Sequence, residues 1–167
     1  VAVDKTVVDL LIPTKEDMHL VREIFQENAD SLSIDLKSQG FEAELAELPG
    51  VYAQPRGQIL LIQVDGIIAG CCALRPFDHW DDCDYPNAAE MKRLYVRKAF
   101  RGLGLGRQLV EAALDTARQA GYDYVLLDTL DDMEAARSLY EELGFESIPP
   151  YYQSPFSGAH YLKASLL

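Results

Sequence analysis

The sequence predicts an α/β fold with a mixed sheet of six to seven strands and four helices, and three observations support this prediction. Strand-like and helix-like apolar patterns follow one another along the whole 167-residue chain. The dipeptide Asp65-Gly66 joins two apolar runs as an antiparallel hairpin. Residues 88–127 show the pattern of a strand, a helix and a second strand, and a crossover of this kind makes the two strands parallel.

The N-terminal half of the chain is predicted to start with a strand and a helix. Residues 7–12 are an apolar run that ends at a proline. Thr14 follows as a helix N-cap, with Asp17 in the position of a capping-box acid, so a helix should run to about residue 28 or 29.

A second helical pattern and the hairpin follow. The helical pattern covers residues 31–48, and Gly40 is expected to divide it. Pro49-Gly50 marks a turn, after which the hairpin strands cover residues 58–64 and 67–74. A long loop rich in aspartate then leads to the C-terminal half.

Strands and helices alternate in the C-terminal half. Apolar residues recur at helical spacing in both predicted helices, and a glycine follows each one as a C-cap residue. The strand after the first of these helices is almost continuously apolar, as in a strand buried on both faces. The predicted strands cover residues 88–96, 124–128, 145–148 and 160–165, and the helices cover residues 103–120 and 131 or 132 to 143.

Length and composition limit the classes of protein to be considered. A chain of 167 residues that is 49% hydrophobic and 25% charged fits a single globular domain over residues 1–167. The sequence has no apolar run of membrane-spanning length and no signal-peptide pattern, and its three cysteines form no disulfide framework or metal-binding spacing. We therefore expect a cytoplasmic protein without a metal site. The excess of 27 acidic over 15 basic residues argues against nucleic acid as a partner and is compatible with an amine substrate.

A glycine-rich turn in a basic stretch is the strongest functional signal. Six of the 15 Lys and Arg residues lie within residues 90–109, where three glycines alternate between a strand and a helix. Glycines permit positive φ angles, and the start of a helix offers unpaired N–H groups, so this turn should bind an anion such as phosphate. The stretch matches neither a P-loop nor the G-x-G-x-x-G dinucleotide fingerprint.

Two motifs resemble the GNAT superfamily of acyl-CoA-dependent N-acetyltransferases. The string Arg101-Gly102-Leu103-Gly104-Leu105-Gly106 is similar to the R/Q-x-x-G-x-G/A loop that holds the pyrophosphate of coenzyme A. Residues 136–145 match the pattern A-x-x-x-Y-x-x-x-G-F, in which the tyrosine is Tyr140. Met133 stands where the superfamily often has a cofactor-contacting asparagine. The resemblance implies a central, largely antiparallel sheet with helices on its faces and a parallel strand pair at the cofactor cleft.

The resemblance also implies a reaction and its ligands. An acetyl group would move from acetyl-CoA, the co-substrate, to a primary amine of a small molecule by direct transfer in a ternary complex, with no metal and with a homodimer as one possible assembly. Backbone groups of the strand would hold the pantetheine arm and the glycine turn would hold the phosphates. The cofactor-binding residues implied are Leu94, Tyr95, Val96, Arg101, Gly102, Leu103, Gly104, Leu105, Gly106 and Arg107.

The resemblance also suggests which residues are catalytic. Several relatives carry a glutamate base on this strand, so Glu90 is the candidate base, with His79 or ordered water as alternatives. Strand alternation places Glu90 on the same face as Lys92 and Leu94. Tyr140 is the candidate acid for the leaving thiolate.

Other interpretations stay open. The fold could serve as a non-catalytic module that senses an acyl-CoA or an amine, or the enzyme could transfer another acyl group. Cys71 and Cys72 are interpreted as packing residues rather than nucleophiles, because neighbouring residues on a strand point to opposite faces. The acidic residues after the first helix either form a solvated face or line the acceptor site, where they would favour a cationic amine. These residues are Asp30, Asp35, Glu42, Glu44 and Glu47.

Overall fold

The fold is built around one seven-stranded sheet. A computed structural model describes residues 6–32, 40–77, 85–130, 134–151 and 158–167. The strands are β1 (Val8–Leu11), β2 (Gln58–Val64), β3 (Ile67–Phe77), β4 (Ala88–Val96), β5 (Tyr124–Leu130), β6 (Glu146–Ile148) and β7 (Ala159–Ser165). The helices are α1 (Met18–Ser31), α2 (Phe41–Glu47), α3 (Leu105–Gln119) and α4 (Glu134–Glu142).

The sheet confirms the predicted topology. Its strand order is β1-β2-β3-β4-β5-β7-β6, and every neighbouring pair is antiparallel except β4 and β5. β4 and β5 are parallel because α3 carries the chain back across the sheet between them. The predicted fold class, a mixed and largely antiparallel sheet with four helices, is therefore correct.

Apolar clusters cover both faces of the sheet. Side chains of α3 and α4 pack with a first set of strand residues, and side chains of α1 and α2 pack with a second set. A third cluster forms around Phe77 and Tyr151. Strand alternation explains the division: Cys72 lies in the first cluster and Cys71 in the second. Each buried Leu or Ile side chain contributes about 1.5–3 kcal/mol, so both faces stabilise the sheet.

Element boundaries differ from the prediction by a few residues. β2 and β4 have the predicted limits, whereas β3 continues to Phe77 and α1 to Ser31. α3 begins at Leu105 rather than at residue 103, because Gly104 has a left-handed backbone that helical residues do not adopt. The first part of the pattern at 31–48, much of the aspartate-rich loop and the predicted start of α4 lie outside the described residues.

Candidate active site

The centre of the site is the place where β4 and β5 separate. Their paired residues end at Glu90 and Leu126, although β4 continues to Val96 and β5 to Leu130. Within the described residues, no strand pairs with residues 91–96 on the β5 side. This edge of β4 is therefore open to a ligand that needs backbone hydrogen bonds. Leu94 and Tyr95, two of the residues predicted to bind the cofactor, lie on it, as does Val96.

A β-bulge shapes the same edge. Lys92 lies opposite Ala73 and Tyr95 lies opposite Cys71, so Arg93 and Leu94 together face Cys72. Arg93 has a φ angle of 62°, in the left-handed region that is rare for arginine. The Cys71 thiol donates a hydrogen bond of 3.1 Å to the Arg93 carbonyl, which stabilises the bulge.

The bulge corrects one prediction about side-chain direction. Because it inserts one residue, Leu94 and Val96 pack in the same cluster as Ala89 and Met91, beneath α3 and α4. Simple alternation predicts that Leu94 shares a face with Glu90, and this prediction is wrong. Lys92 precedes the bulge, and its ammonium lies 4.0 Å from the Glu90 carboxylate.

The glycine turn presents a row of unpaired backbone N–H groups. Gly102 and Gly104 have φ angles of 87° and 76°, and a Cβ atom at either position would have open space around it. In the part of the chain that the structure describes, none of the N–H groups of residues 102–107 has a hydrogen-bond partner. The Leu103 side chain is exposed and that of Leu105 is buried, so the backbone is the main binding surface of this turn. The geometry fits an anion at the start of α3.

The basic stretch is partly neutralised by acidic residues from other elements. Arg93 pairs with Glu44 at 2.9 Å, and Arg97 pairs with Glu27 at 3.0 Å. Arg107, a predicted cofactor residue, is paired with Glu142. The Arg101 guanidinium instead donates a hydrogen bond of 3.1 Å to the Val96 carbonyl.

Two basic residues therefore stand out near the glycine turn. No described carboxylate pairs with Lys98 or Arg101, so these two charges remain available to an anion. Arg101 directly precedes the unpaired N–H groups in sequence, and Lys98 lies three residues before Arg101. The turn thus combines backbone donors with local positive charge.

Glu90 is buried and tightly held. Its side chain accepts hydrogen bonds of 2.8 Å from the Arg75 guanidinium at one oxygen and from the Tyr151 hydroxyl at the other. Burial has the largest influence on the pKa of Glu90 and raises it. The charges of Lys92 and Arg75 and the hydrogen bond from Tyr151 outweigh burial, so the net pKa lies below the usual value. Glu90 is therefore a carboxylate at neutral pH.

Tyr140 is a buried, neutral phenol. It lies in the cluster under α3, with its ring 5.5 Å from that of Phe145. Burial is the main reason that its pKa is raised, and the charges of Cys72 and Asp128 act in the same direction. No described group forms a hydrogen bond with the Tyr140 hydroxyl, so its proton is free for a ligand atom.

A cavity of about 200 Å³ is lined by α2, the segment that follows it and Arg75 of β3. We call it the α2 pocket. Its walls include two acidic residues, an aromatic residue and a basic residue: Glu44, Glu47, Tyr52 and Arg75. Two of these connect it to β4, because Glu44 pairs with Arg93 and Arg75 pairs with Glu90.

The two adjacent cysteines are not activated. Both are fully buried free thiols, on opposite faces of the sheet as predicted. Burial raises the pKa of Cys72 to about 12 and that of Cys71 well above its usual value. Because the thiolate is the nucleophilic form, neither residue has the properties of an acyl carrier.

Sequence reasoning missed the groups that surround Glu90. Arg75 had no predicted role, although it is the one charged residue of β3 and could have been noticed for that reason. Tyr151 was predicted only as part of an aromatic loop that suggests a small amine or amino-acid-like acceptor, not as a partner of Glu90. His79, the alternative base, and Met133, at the asparagine position, lie outside the described residues.

Among the described residues, no cluster of three or more His, Cys, Asp or Glu could hold a metal ion. No described helix is long and apolar enough to span a membrane.

Comparison with known proteins agrees with this geometry. A sequence profile of the "Acetyltransferase (GNAT) family" matches residues 19–145. An uncharacterized N-acetyltransferase of Schizosaccharomyces pombe is 34% identical over 152 residues, which are 90% of each chain. A crystal structure of a GNAT-family acetyltransferase from Staphylococcus aureus Mu50 superposes with a TM-score of 0.76 at 21% identity, covering 96% of this chain and 100% of that one.

A further structural neighbour was solved with its cofactor. It is an acetyltransferase structure from Salmonella typhimurium with acetyl-CoA, with a TM-score of 0.67 and 21% identity over 95% of this chain and 94% of that one. The profile match and the fission-yeast relative show that the chain belongs to the GNAT family of acetyltransferases. It is an acyl-CoA-dependent N-acyltransferase, with acetyl-CoA as co-substrate.

Proposed function

We propose that the protein transfers an acetyl group from acetyl-CoA directly to a primary amine of a small molecule within a ternary complex. One observation supports this most strongly: the open edge of β4 starts at Glu90, which contacts Arg75 of the α2 pocket, and it leads along the chain to the turn with unpaired N–H groups. In this proposal the ten predicted cofactor residues bind the phosphates and the pantetheine arm, and the α2 pocket receives the amine.

Glu90 is proposed to accept the amine proton. An alkyl amine has a pKa near 10, so its reactive neutral form costs roughly 4–5 kcal/mol at pH 7. Because Glu90 is 1% exposed, the proton reaches it through ordered water or the Tyr151 hydroxyl rather than by direct contact. In the second route, Tyr151 accepts the amine proton as its own proton passes to Glu90.

Tyr140 is proposed to protonate the leaving thiolate of coenzyme A. Its raised pKa keeps the phenol protonated through the neutral range, and its hydroxyl proton is not used by another described group. The neutral amine attacks the thioester carbonyl, the tetrahedral intermediate collapses, and the sulfur takes the Tyr140 proton as the C–S bond breaks.

The domain organisation, cellular location and oligomeric state of the protein are part of the same proposal. We treat residues 1–167 as one acetyltransferase domain, which the continuous sheet from β1 to β7 supports. A cytoplasmic location is consistent with the free thiols of Cys71 and Cys72. A homodimer is one assembly to test by light scattering.

The test is acceptor-dependent release of coenzyme A. Purified protein is incubated with acetyl-CoA and panels of amino acids, polyamines, aminoglycosides and peptides, and free thiol is measured together with the mass of the product. An acetylated small amine supports the proposal. Binding of acetyl-CoA without transfer to any amine would indicate a sensing module, and thioester hydrolysis that ignores the acceptor would count against direct transfer.

A further inference from the structure

We propose that the α2 pocket recognises a carboxylate, and that the acceptor is therefore an amino acid or another amine that carries a carboxylate. The Arg75 guanidinium is the recognising group. This inference deepens the proposed function and rests on it, because it takes the α2 pocket to be the acceptor site.

Arg75 connects the pocket to the reacting edge of β4. It lines the pocket and lies directly opposite Glu90 in the register between β3 and β4. Glu90 is the last β4 residue paired with β5, so Arg75 lies beside the point where the two strands separate. A ligand group held by Arg75 would thus be next to the open edge of β4.

The Arg75 guanidinium does not use all of its hydrogen-bond donors within the described residues. Its Nε and one terminal nitrogen both contact the same Glu90 oxygen, at 2.8 and 2.7 Å. Among the described groups, the other terminal nitrogen has no partner. The Arg75 side chain is 34% exposed, against 2% for Glu90, and it lines the α2 pocket. A planar guanidinium with free donors matches a carboxylate.

Glu44, one of the two acidic residues on the pocket wall, is not available to a cationic ligand in the same way. Both oxygens of Glu44 accept hydrogen bonds of 2.9 Å from Arg93, and one of them also accepts a bond of 2.8 Å from the Tyr52 hydroxyl. Glu44 is thus a structural counter-ion for Arg93. Its negative charge is compensated before a substrate arrives.

The local charge balance points in the same direction. Arg75 and Lys92 both lie beside Glu90, so this group has one more cation than anion. Arg93 and Glu44 form a separate ion pair and neutralise each other. Glu47, also on the pocket wall, is exposed and can attract the ammonium end of a zwitterion. A ligand with both charges fits this arrangement better than a simple polyamine.

Binding without turnover tests the inference. We titrate the 20 common L-amino acids and their carboxamides into the protein saturated with coenzyme A and measure binding by calorimetry. Each acid differs from its amide at the carboxylate alone. We expect at least one amino acid to bind about tenfold or more tightly than its amide, as loss of charge-assisted hydrogen bonds implies. If no acid binds better than its amide, the inference is wrong, whether or not any variant folds.

Two variants then assign the preference to Arg75. Arg75→Gln removes the guanidinium and its two contacts with Glu90, so Arg75→Gln/Glu90→Gln is measured beside it and keeps the local net charge constant. In both variants the acid-to-amide affinity ratio should fall to near one. Arg118→Gln, which removes an exposed arginine at the far end of α3, should keep the wild-type ratio.

The outcomes separate the two proposals. A wild-type ratio that survives both Arg75 variants would overturn the role of Arg75. Amino acids that bind through Arg75 but never release coenzyme A from acetyl-CoA would support the carboxylate site and contradict the proposed transfer reaction.

Discussion

The two sides of β4 are built from different kinds of groups. On the proposed cofactor side, the binding groups are backbone amides of the strand edge and of the glycine turn. On the α2-pocket side they are side chains that come from distant parts of the chain, such as Glu44 with Arg93 and Arg75 with Glu90. A site made of backbone depends on local conformation, whereas a site made of side chains depends on tertiary contacts.

The largest effect is expected where the backbone forms the site. Gly104→Val places a β-branched residue at a φ angle of 76°, which valine resists, so the turn should lose its shape. We expect affinity for coenzyme A to fall on the order of 100-fold, about 2.7 kcal/mol, by calorimetry. Gly121→Val is the matched control, because Gly121 has a φ angle of 89° and open space at the other end of α3.

The control variant should lose stability but keep its affinity for coenzyme A. Equal losses of affinity in the two variants would mean that Gly104 acts through folding alone. Micromolar affinity retained by Gly104→Val would remove the glycine turn from the proposed cofactor site.

A substitution at Tyr140 tests its proposed role as the acid for the leaving thiolate. Tyr140→Phe should fold and bind acetyl-CoA normally while kcat falls about tenfold or more, because the leaving thiolate loses its acid. Since burial raises the pKa of Tyr140, the wild-type kcat should not fall on the alkaline side within the ordinary tyrosine range.

Tyr122→Phe provides the comparison for this experiment. Tyr122 is buried in the same cluster, and its hydroxyl donates a hydrogen bond of 2.8 Å to the Arg56 carbonyl. That variant should lose some stability and keep its kcat. An unchanged kcat in Tyr140→Phe would leave Tyr140 as a packing residue.

The α2-pocket side should respond through stability and acceptor affinity. Glu44→Gln leaves the Arg93 guanidinium, whose side chain is 9% exposed, without its carboxylate, at an expected cost of about 2–4 kcal/mol in the free energy of unfolding. The double variant Glu44→Gln/Arg93→Met should lose less unfolding free energy than the two single variants lose in total. Denaturant titration can measure all three losses. Affinity for coenzyme A should remain, and a parallel loss would contradict the separation of the two sides.

The smallest effect concerns acid stability. The pKa of Glu90 is lower in the folded state than its usual value of 4.5, so the carboxylate stabilises the fold above that pH. This contribution is lost as pH falls through the folded pKa. Wild type should therefore have a higher Tm than Glu90→Gln, with the largest difference near neutral pH and a smaller one below about pH 4.5.

The exposed residue Glu146 supplies the control for this pH series. Its side chain is 72% exposed, so Glu146→Gln removes one negative charge without breaking a buried contact. A Glu90→Gln difference that stays constant through the acid range would show that Glu90 is not a stabilising carboxylate.

The sequence predicted the backbone of the glycine turn better than the side-chain contacts around the α2 pocket, for a physical reason. Gly102 and Gly104 mark the turn because few other residues tolerate their φ angles, and the hairpin at Asp65-Gly66 follows from the same kind of local rule. The partners of Glu90 follow no local rule, since Tyr151 lies 61 positions away along the chain. The bulge at Arg93 was also missed, because no glycine marks it.

The bulge has a consequence for how this enzyme can diversify. Because it shifts alternation by one step, Lys92 and Arg93 have their charged groups in the ion-pair network, while Leu94 and Val96 are committed to the apolar core. Residues 92 and 93 can therefore change together with their acidic partners, Glu90 and Glu44, without disturbing the strand edge that follows. The length of β4 has no such freedom, because losing one residue would send charged groups into the core and leucine into the pocket wall. Selection on this strand should therefore tolerate substitutions and reject single-residue insertions or deletions.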